Sequence, residues 1–370
     1  MTTIFKQISA GYSRSLALLD DNSAWAWGNI GRAESPVASD APWAAICGSG
    51  PQEIGHNRFA QPLPQLLNPN APYGFLADAI NELMALNMRG QVGMLAPATS
   101  LSAGAACSPV VGIPSGMKQI SANETASYAL DTSGKVWSWG SNFQGQLGRQ
   151  SDGGLNQPPA KIETLPTIAS LATGKNHTLA LSNKGDVWAW GANTAGQLGQ
   201  GNLSALTRPA RVLINTPIKA IAAGDTHSLA IDVNGRLYVW GSNNLGQLGP
   251  VMSSKLAGFS ARPVRVQLSF KLKQIDAGMH YTIALSEQGE VYAWGWNSMG
   301  QLGDSEVQSS NTPIKILGLN RVREISAGPF HALASNEKGL YAWGDNRNAA
   351  CGLSSIQAEI VKKPNLIAFA

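Results

Sequence analysis

The sequence predicts an all-β protein assembled from repeats of about 50 residues, and three observations support this. A Trp-Gly pair recurs along the chain, at Trp27, Trp139, Trp190, Trp240, Trp294 and Trp343. A Gly-Gln-Leu-Gly motif follows four of these pairs, beginning at Gly145, Gly196, Gly246 and Gly300. The 370 residues include 40 glycines, and only 14% are charged, against about 25% in a typical globular chain. Such a composition favours short strands joined by tight turns.

The spacing of the motifs predicts seven units. Each unit opens with a Ser-Ala-Gly-like run that ends at Gly11, Asn123, Gly174, Gly224, Gly278 or Gly328. The first interval is about twice the others, so a heavily diverged second unit is expected at about 63–115. We identify its remnant in Met84–Gly93, which follows the Trp-Gly-x-Asn-x-x-Gly-Gln-Leu-Gly frame with Met84 for tryptophan and Val92 for leucine. The apolar spacing within 77–86 also fits a short helix, although the repeat favours strands.

Each unit contains the pattern of four short strands. Leu179–Leu181 and Val187–Trp190 are apolar on both faces, as in a sheet that is buried on both sides. The Asn-Lys-Gly between them predicts a hairpin in which Leu179 pairs with Trp190. A proline-led stretch such as Pro209–Val212 predicts an outer strand, and the small Ser-Ala-Gly runs suit strands near a central axis.

Four strands repeated seven times predict a seven-bladed β-propeller that forms one domain over residues 1–370. The irregular segment at about 31–73 is expected to be an insertion. The stretch Lys363–Ile367 has no repeat after it, so it is expected to complete the first blade and to close the ring.

At these motifs the chain resembles the regulator of chromosome condensation family of seven-bladed propellers, as a bacterial-type member with a diverged second blade. The family includes an exchange factor for a small nuclear GTPase, a plant ultraviolet-B photoreceptor, a bacterial inhibitor of β-lactamases and effectors that act on host GTPases. The resemblance implies a propeller face that grips a partner protein, such as a small GTPase or an enzyme. The photoreceptor's Gly-Trp-Arg-His-Thr has its nearest counterpart in Gly174–Thr178, which lacks the tryptophan.

The functional surface is predicted on one face of the propeller. The hairpin direction brings the Gly-x-x-His loops and the Trp-Gly-x-Asn loops to the same end of every unit. Residues at these places differ between units while the surrounding frame stays constant, which a specific binding surface requires. The predicted binding residues are Tyr12, Glu124, Lys175, Asn176, Asp225, Met279, His280, Trp296 and Phe330.

Other candidate sites have weaker support. In the insertion, Cys47 and His56 could form a nucleophile–base pair, but no third orienting group accompanies them. An enzyme with its site at the insertion and the adjoining face is the alternative function, together with a GTPase regulator that uses the insertion as a wedge. His177, His227 and His331 recur at equivalent positions and are interpreted as structural, each bonded within its own loop. Cys351 replaces a motif leucine and is expected to be buried, and neither a metal nor a cofactor is expected.

Charge and composition argue against several other classes of protein. No run of 18 apolar residues is present, so no membrane span is expected. Three distant cysteines and an N-terminus without a signal peptide favour the cytoplasm, although export without a signal peptide would leave no mark in the sequence. The net charge of +4 is small. The basic residues on the predicted outer strands are therefore read as a solvated rim, and nucleic acid is not an expected partner.

Overall fold

The computed structural model describes residues 4–12, 14–28, 61–66, 73–78, 83–95, 108–150, 155–251, 258–303, 307–353 and 357–369. Within these ranges the chain contains strands and turns and no helix. The first sheet contains β1 (Phe5–Ala10), β2 (Arg14–Leu19), β3 (Ala24–Gly28) and β4 (Gln61–Leu66). The second contains β5 (Tyr73–Asp78), β6 (Leu83–Asn87), β7 (Val92–Leu95) and β8 (Ser108–Pro109). The third contains β9 (Met117–Ala122), β10 (Ala126–Asp131), β11 (Val136–Gly140) and β12 (Gln157–Lys161).

The fourth sheet contains β13 (Ile168–Thr173), β14 (His177–Ser182), β15 (Val187–Gly191) and β16 (Leu206–Arg211). The fifth contains β17 (Ile218–Ala223), β18 (His227–Asp232), β19 (Leu237–Ser242) and β20 (Phe259–Val266). The sixth contains β21 (Leu272–Ala277), β22 (Tyr281–Ser286), β23 (Val291–Trp296) and β24 (Ser309–Lys315). The seventh contains β25 (Glu324–Ala327), β26 (His331–Asn336), β27 (Gly339–Asp345) and β28 (Ile360–Leu366).

Each described sheet is an antiparallel meander of four strands that are consecutive in the chain. The first strands of the sheets contact one another in succession from β1 through β5, β9, β13, β17, β21 and β25, and β25 contacts β1. They therefore surround a common axis, and the prediction of an all-β propeller is confirmed. The proline-led stretches predicted as outer strands lie in β16, β20 and β24, which are the fourth strands of their sheets.

The hairpin between the second and third strands differs from the prediction by one residue. Thr178 pairs with Trp190, whereas Leu179 pairs with Ala189. The reason is that the loop contains three residues, Asn183–Gly185, so the pairing is centred on the middle residue. Gly185 has φ 85°, as a three-residue hairpin loop with a left-handed last position requires.

Tryptophan side chains join consecutive sheets. In each of five sheets the indole N–H of the Trp-Gly pair donates to a carbonyl of the preceding sheet's Gly-Gln-Leu-Gly loop or its equivalent. The bonds run from Trp190 to Gln146 (2.8 Å), Trp240 to Gln197 (2.7 Å), Trp294 to Gln247 (3.0 Å), Trp343 to Gln301 (2.9 Å) and Trp27 to Ala350 (2.9 Å). All five indoles are fully buried, so each unmade bond would carry a desolvation cost.

Histidines form a second link between sheets. His177 Nε2 lies 2.9 Å from the Ser228 hydroxyl of the next sheet, and the pairs His227–Thr282 and His331–Ser15 repeat this contact at 3.2 and 2.8 Å. Each hydroxyl donates its single hydrogen to the same loop carbonyl that accepts the indole bond. The histidine Nε2 must therefore be the donor. The interpretation that each histidine is bonded within its own loop is wrong, because the partner belongs to the following sheet.

The glycines of the Ser-Ala-Gly runs lie where neighbouring sheets approach most closely. A Cβ on Gly224 would lie 2.5 Å from the carbonyl oxygen of Gly278. The same distance separates a Cβ on Gly278 from Gly328 and a Cβ on Gly328 from Gly11. No side chain fits there, which explains why small residues recur at the inner ends of the sheets.

The second sheet is present, but the motif used to find it was assigned to the wrong place. The chain forms strands at β5 and β6, so the helix considered for 77–86 is absent there. Residues 88–91 form the hairpin between β6 and β7, with the Gly90 N–H bonded to the Asn87 carbonyl at 2.9 Å. Gly90–Gly93 is thus a turn and the start of a strand, not a Gly-Gln-Leu-Gly loop. Leu95 pairs with Leu83 in β6 as Trp190 pairs with Thr178 in β14. Leu95, and not Met84, is therefore the residue of the second sheet at the position of the motif tryptophan.

The predicted closure of the ring is also wrong in its detail. The C-terminal strand β28 pairs with β27 of the last sheet, not with the first sheet. The first sheet takes its fourth strand from residues 61–66, where Trp25 pairs with Leu66, so the last part of the expected insertion belongs to this sheet. We call the boundary between the last and first sheets the seam, and side chains hold it. Phe369 contacts Phe5, Trp25 and Trp27 there, at ring-centroid distances of 5.5, 5.6 and 6.1 Å.

We expect the Phe369→Ala variant to lower the free energy of unfolding by about 2 kcal/mol, because it leaves a gap beside three aromatic rings of the first sheet. Leu366→Ala is the matched control, since Leu366 is 51% exposed and should cost less than about 0.5 kcal/mol. Denaturant unfolding measures both values. Equal effects of the two substitutions would contradict a role for Phe369 in the seam.

The buried histidines should stay neutral in moderately acidic solution. Burial lowers the pKa of His177 and of His227 to about 3, and that of His331 to about 4. We therefore expect the three imidazole signals in NMR spectra of histidine-labelled protein to remain unchanged from pH 8 to pH 5. A titration near pH 6.5 for any of them would show that its ring is accessible to water and not held in the link between sheets.

Candidate functional site

The structure brings the predicted binding residues to one end of the ring. They lie on the loops between the first and second strands of their sheets, except Trp296, which is the last residue of β23. A cavity of about 370 Å³ opens at this end and is lined by Tyr12, Glu124, Lys175, Asp225 and Met279, among others. Asn176, His280, Trp296 and Phe330 are half-buried and are not among the residues that line this cavity. Sequence reasoning thus predicted that these residues lie at one end of the ring, but it did not predict which of them line the cavity.

A continuous row of rings crosses three sheets on this face. His280 and Trp296 of the sixth sheet meet edge-to-face with centroids 6.2 Å apart. Trp296 contacts Phe330 of the seventh sheet at 6.1 Å, and Phe330 contacts Tyr12 of the first sheet at 5.6 Å. Tyr12 is 41% exposed. We call these four residues the aromatic row. Its members lie outside the repeated frame, so the row is not a consequence of the repeat.

Backbone hydrogen bonds hold the segments that carry the row. The Trp296 N–H donates to the His280 carbonyl at 2.9 Å, which holds the end of β23 against the loop before β22. The Met279 N–H donates to the Pro329 carbonyl of the next sheet at 3.2 Å. The loops of the sixth and seventh sheets that carry His280 and Phe330 are therefore tied to each other.

A charged group on the third to fifth sheets also lines this cavity. Lys175 Nζ is 3.6 Å from a Glu124 carboxylate oxygen, and both side chains are partly exposed. Burial raises the pKa of Asp225 to about 6, an effect that Lys175 opposes and Glu124 reinforces. Lys175 thus lies within the electrostatic reach of two carboxylates, and Asp225 is ionised at neutral pH.

Sequence reasoning missed two acidic residues deeper along the axis. A second cavity of about 590 Å³ shares Gln119 and Asp276 with the first and is also lined by Glu324. Burial raises the pKa of Asp276 to about 6 and that of Glu324 to about 7. Asp276 stands where other units have Ser9, Ser121 or Ser326, and Glu324 where they have Gln7, Gln119 or Gln274. Comparing the inner strands residue by residue would have found both.

The remaining candidates do not form a site within the described part of the chain. Cys47 and His56 lie outside the described residues. Among the residues that are described, no group of three or more histidine, cysteine, aspartate or glutamate side chains could hold a metal ion. Cys351 is fully buried, as expected. Within the same residues, no helix is long and apolar enough to cross a membrane.

Comparison with known families supports the motif assignment. Residues 83–370 match the family model described as the RCC1-like domain, and residues 5–29 match the regulator of chromosome condensation (RCC1) repeat. The human protein named Probable E3 ubiquitin-protein ligase HERC6 is 36% identical over 242 residues, which are 64% of this chain and 19% of that protein.

Two further relatives match a similar part of the chain. The ultraviolet-B receptor UVR8 of Arabidopsis thaliana is 30% identical over 243 residues, 64% of this chain and 55% of the receptor. Human RCC2 is 34% identical over 252 residues, 59% of this chain and 48% of RCC2. The match thus spans less than two thirds of each relative, and these animal and plant proteins do not support the expectation of a bacterial-type member.

Solved structures show the same fold. Human WBSCR16 superposes with a TM-score of 0.79 at 22% identity, over 94% of both chains. Yeast RCC1 (Prp20), in a structure with Kap60, superposes with a TM-score of 0.71 at 24% identity, over 83% of this chain and 78% of that one. At these identities the likeness establishes a common fold and nothing about partners.

The electrostatic coupling in the mouth of the cavity can be tested directly. We expect Lys175→Gln to raise the pKa of Asp225 further above its ordinary value, because the substitution removes the positive charge that now lowers it. Lys184→Gln, in the hairpin loop at the other end of the same sheet, is the control and should leave that pKa unchanged. NMR titration of the Asp225 carboxyl carbon measures both variants. An unchanged pKa in Lys175→Gln would show that the two groups are not coupled.

Proposed function

This chain belongs to the family of RCC1-like domains, and we propose that it is a protein-interaction propeller that binds a partner protein through the face described above and performs no catalysis of its own. The aromatic row is the observation that carries the proposal. Its rings lie outside the repeated frame and are partly accessible. Aromatic residues and methionine are enriched in protein interfaces, where a few of them supply most of the binding energy.

The row is arranged as a binding surface should be. Trp296 and Phe330 are half-buried, so their orientation is fixed and little side-chain freedom is lost on binding. Tyr12 at the end of the row is more exposed and offers a hydroxyl to the partner. Lys175, Glu124 and Asp225 line the same cavity as Tyr12. Charges in that position favour one orientation of the partner and reject proteins of the wrong charge pattern.

We infer that the ring has seven blades, one for each four-stranded sheet described, with the diverged sheet β5–β8 as the second. The succession of contacts from β1 through β5 to β9 supports this. The aromatic row then lies on the sixth, seventh and first blades, across the seam between the two ends of the chain. Of the predicted binding residues on the third to fifth blades, Glu124, Lys175 and Asp225 line the cavity and Asn176 does not.

The proposal predicts that the row is needed for binding but not for folding. We expect Trp296→Ala and Phe330→Ala to keep the fold, with a Tm within a few degrees of the wild type, and each to weaken partner binding by about 2 kcal/mol, roughly 30-fold. Affinity capture followed by quantitative mass spectrometry identifies the partner, and titration of the purified partner measures the loss.

Phe270→Ala provides a matched control. Phe270 is a half-buried aromatic that stacks on Tyr292 with centroids 4.1 Å apart, and it precedes β21 at the other end of the sheet. It should bind the partner as the wild type does. Full binding by both row variants would place the functional surface elsewhere. Unfolding of both would show that the rings belong to the core.

The nature of the partner stays a prediction. A small GTPase or an enzyme is expected from the resemblance of the repeats, and a cytoplasmic location from the cysteine content. If the captured partner is a GTPase, release of a fluorescent nucleotide from it, measured with and without the propeller, distinguishes an exchange factor from a passive binder.

A further inference from the structure

Inner-strand side chains join the sheets around the axis, and at one position of these strands two sheets have a bonding glutamine where another sheet has a glutamate. Gln119 of β9 bonds both backbone groups of Leu171 in β13: its Oε1 accepts from the N–H at 3.0 Å, and its Nε2 donates to the carbonyl at 2.9 Å. Gln274 of β21 bonds Ile325 of β25 in the same way, at 3.1 and 2.8 Å. A glutamine side chain suits this place because its amide both accepts and donates.

The joint between the last and first sheets has Glu324 in the glutamine position. Its Oε1 accepts from the Ile8 N–H of β1, at 3.3 Å, which is longer than the corresponding bond at either glutamine. Ile8 is the residue of β1 that corresponds to Leu171 and Ile325. An ionised carboxylate has no hydrogen to donate to the Ile8 carbonyl, so it can form only half of the bonding pattern that the glutamines form.

We propose that Glu324 is a pH-sensitive joint of the ring: when its carboxyl group takes a proton from solvent, the new O–H donates to the Ile8 carbonyl, reproduces the glutamine pattern and tightens the seam between the last and first sheets. Loss of the proton leaves a carboxylate beside that carbonyl and loosens the seam. This is a conformational device of the ring, and it does not depend on the function proposed above.

The groups around Glu324 favour protonation near neutral pH. Burial is the main cause that raises its pKa, to about 7. Of the two charged residues on β21 that act on it, Asp276 raises the pKa and Lys273 lowers it. On β1, Lys6 lines the same cavity, and its ammonium group donates to the exposed Asn22 side-chain oxygen at 2.8 Å. Strands β22 and β26, which also pack near β25, contribute no residue to that lining.

As at every boundary between neighbouring described sheets, no backbone ladder crosses the seam, and side chains hold it. It is held by the Trp27, Ser15 and Ser326 bonds, the Phe369 contacts and the Glu324 joint. One of these bonds therefore responds to pH in the physiological range, while the equivalent glutamine joints do not titrate.

Glu324→Gln tests the proposal, because it makes the joint identical to the other two. A carboxyl group whose pKa is raised on folding stabilises the folded state below its unfolded pKa, and that contribution is lost as the pH rises toward the folded pKa. We therefore expect the Tm of Glu324→Gln to match that of the wild type at pH 5 and to exceed it by about 2 °C at pH 8. Hydrogen exchange at pH 8 should be slower in the variant for the peptide that covers residues 4–12.

Gln119→Glu is the reciprocal variant. It places a carboxyl group at the boundary between β9 and β13. We expect the Tm of this variant to fall between pH 5 and pH 8 by more than the Tm of the wild type does. A Tm difference between Glu324→Gln and the wild type that is the same at both pH values would overturn the proposal. So would a lower Tm of Glu324→Gln at pH 8, or a Gln119→Glu variant whose Tm follows the wild type at every pH.

Discussion

The architecture depends on one type of hydrogen-bond acceptor. It is the backbone carbonyl of the glutamine in each Gly-Gln-Leu-Gly loop, or of Ala350 in the equivalent loop of the last sheet. At Gln197, Gln247 and Ala350 this carbonyl accepts from the indole N–H and from a serine or threonine hydroxyl of the next sheet, and that hydroxyl contacts a histidine. All of these groups are buried. Because these carbonyls are buried, the loss of a donor would leave an unsatisfied acceptor at a cost in free energy, so the bonds resist separation of neighbouring sheets.

This constraint explains why the repeats can diverge so unevenly. Contacts with a neighbouring sheet restrict the tryptophan, the loop glutamine and the axial glycines. The side chains on the loops between the first and second strands are not restricted in this way. The same loops can therefore carry Lys175 in one sheet and Phe330 in another without disturbing the ring. The aromatic row is assembled from three sheets whose frames are equivalent and whose loop residues are not. A rigid frame with variable loops is how repeat proteins generally acquire specific surfaces.

The polar lining of the axis is a separate feature with a different physical basis. The inner strands expose backbone groups toward the channel, and side chains such as Gln119, Gln274 and Asp276 bond the backbone of the next sheet. The glutamine amides form these bonds without placing a charge in the interior. Asp276 and Glu324 form them with carboxyl groups, and burial raises the pKa of both groups. The ionised form of a buried carboxyl group is costly in free energy. Glu324 belongs to β25 and Asp276 bonds the backbone of β25, the inner strand of the last sheet.

The sequence by itself determined the repeat, the all-β class, the outer proline strands and the face on which Tyr12 and Trp296 lie. These follow from local periodicity and turn chemistry, which a single chain displays directly. Only the tertiary structure decided which residues meet across sheets: the histidine bonds to the following sheet, the placement of β28 in the last sheet, the role of Gly90 as a hairpin residue, and the Glu324 joint. Contacts between residues about 50 positions apart, or between the two ends of the chain, leave no periodic signal. They depend on how closely rigid sheets can approach, and that is fixed by packing around the whole ring.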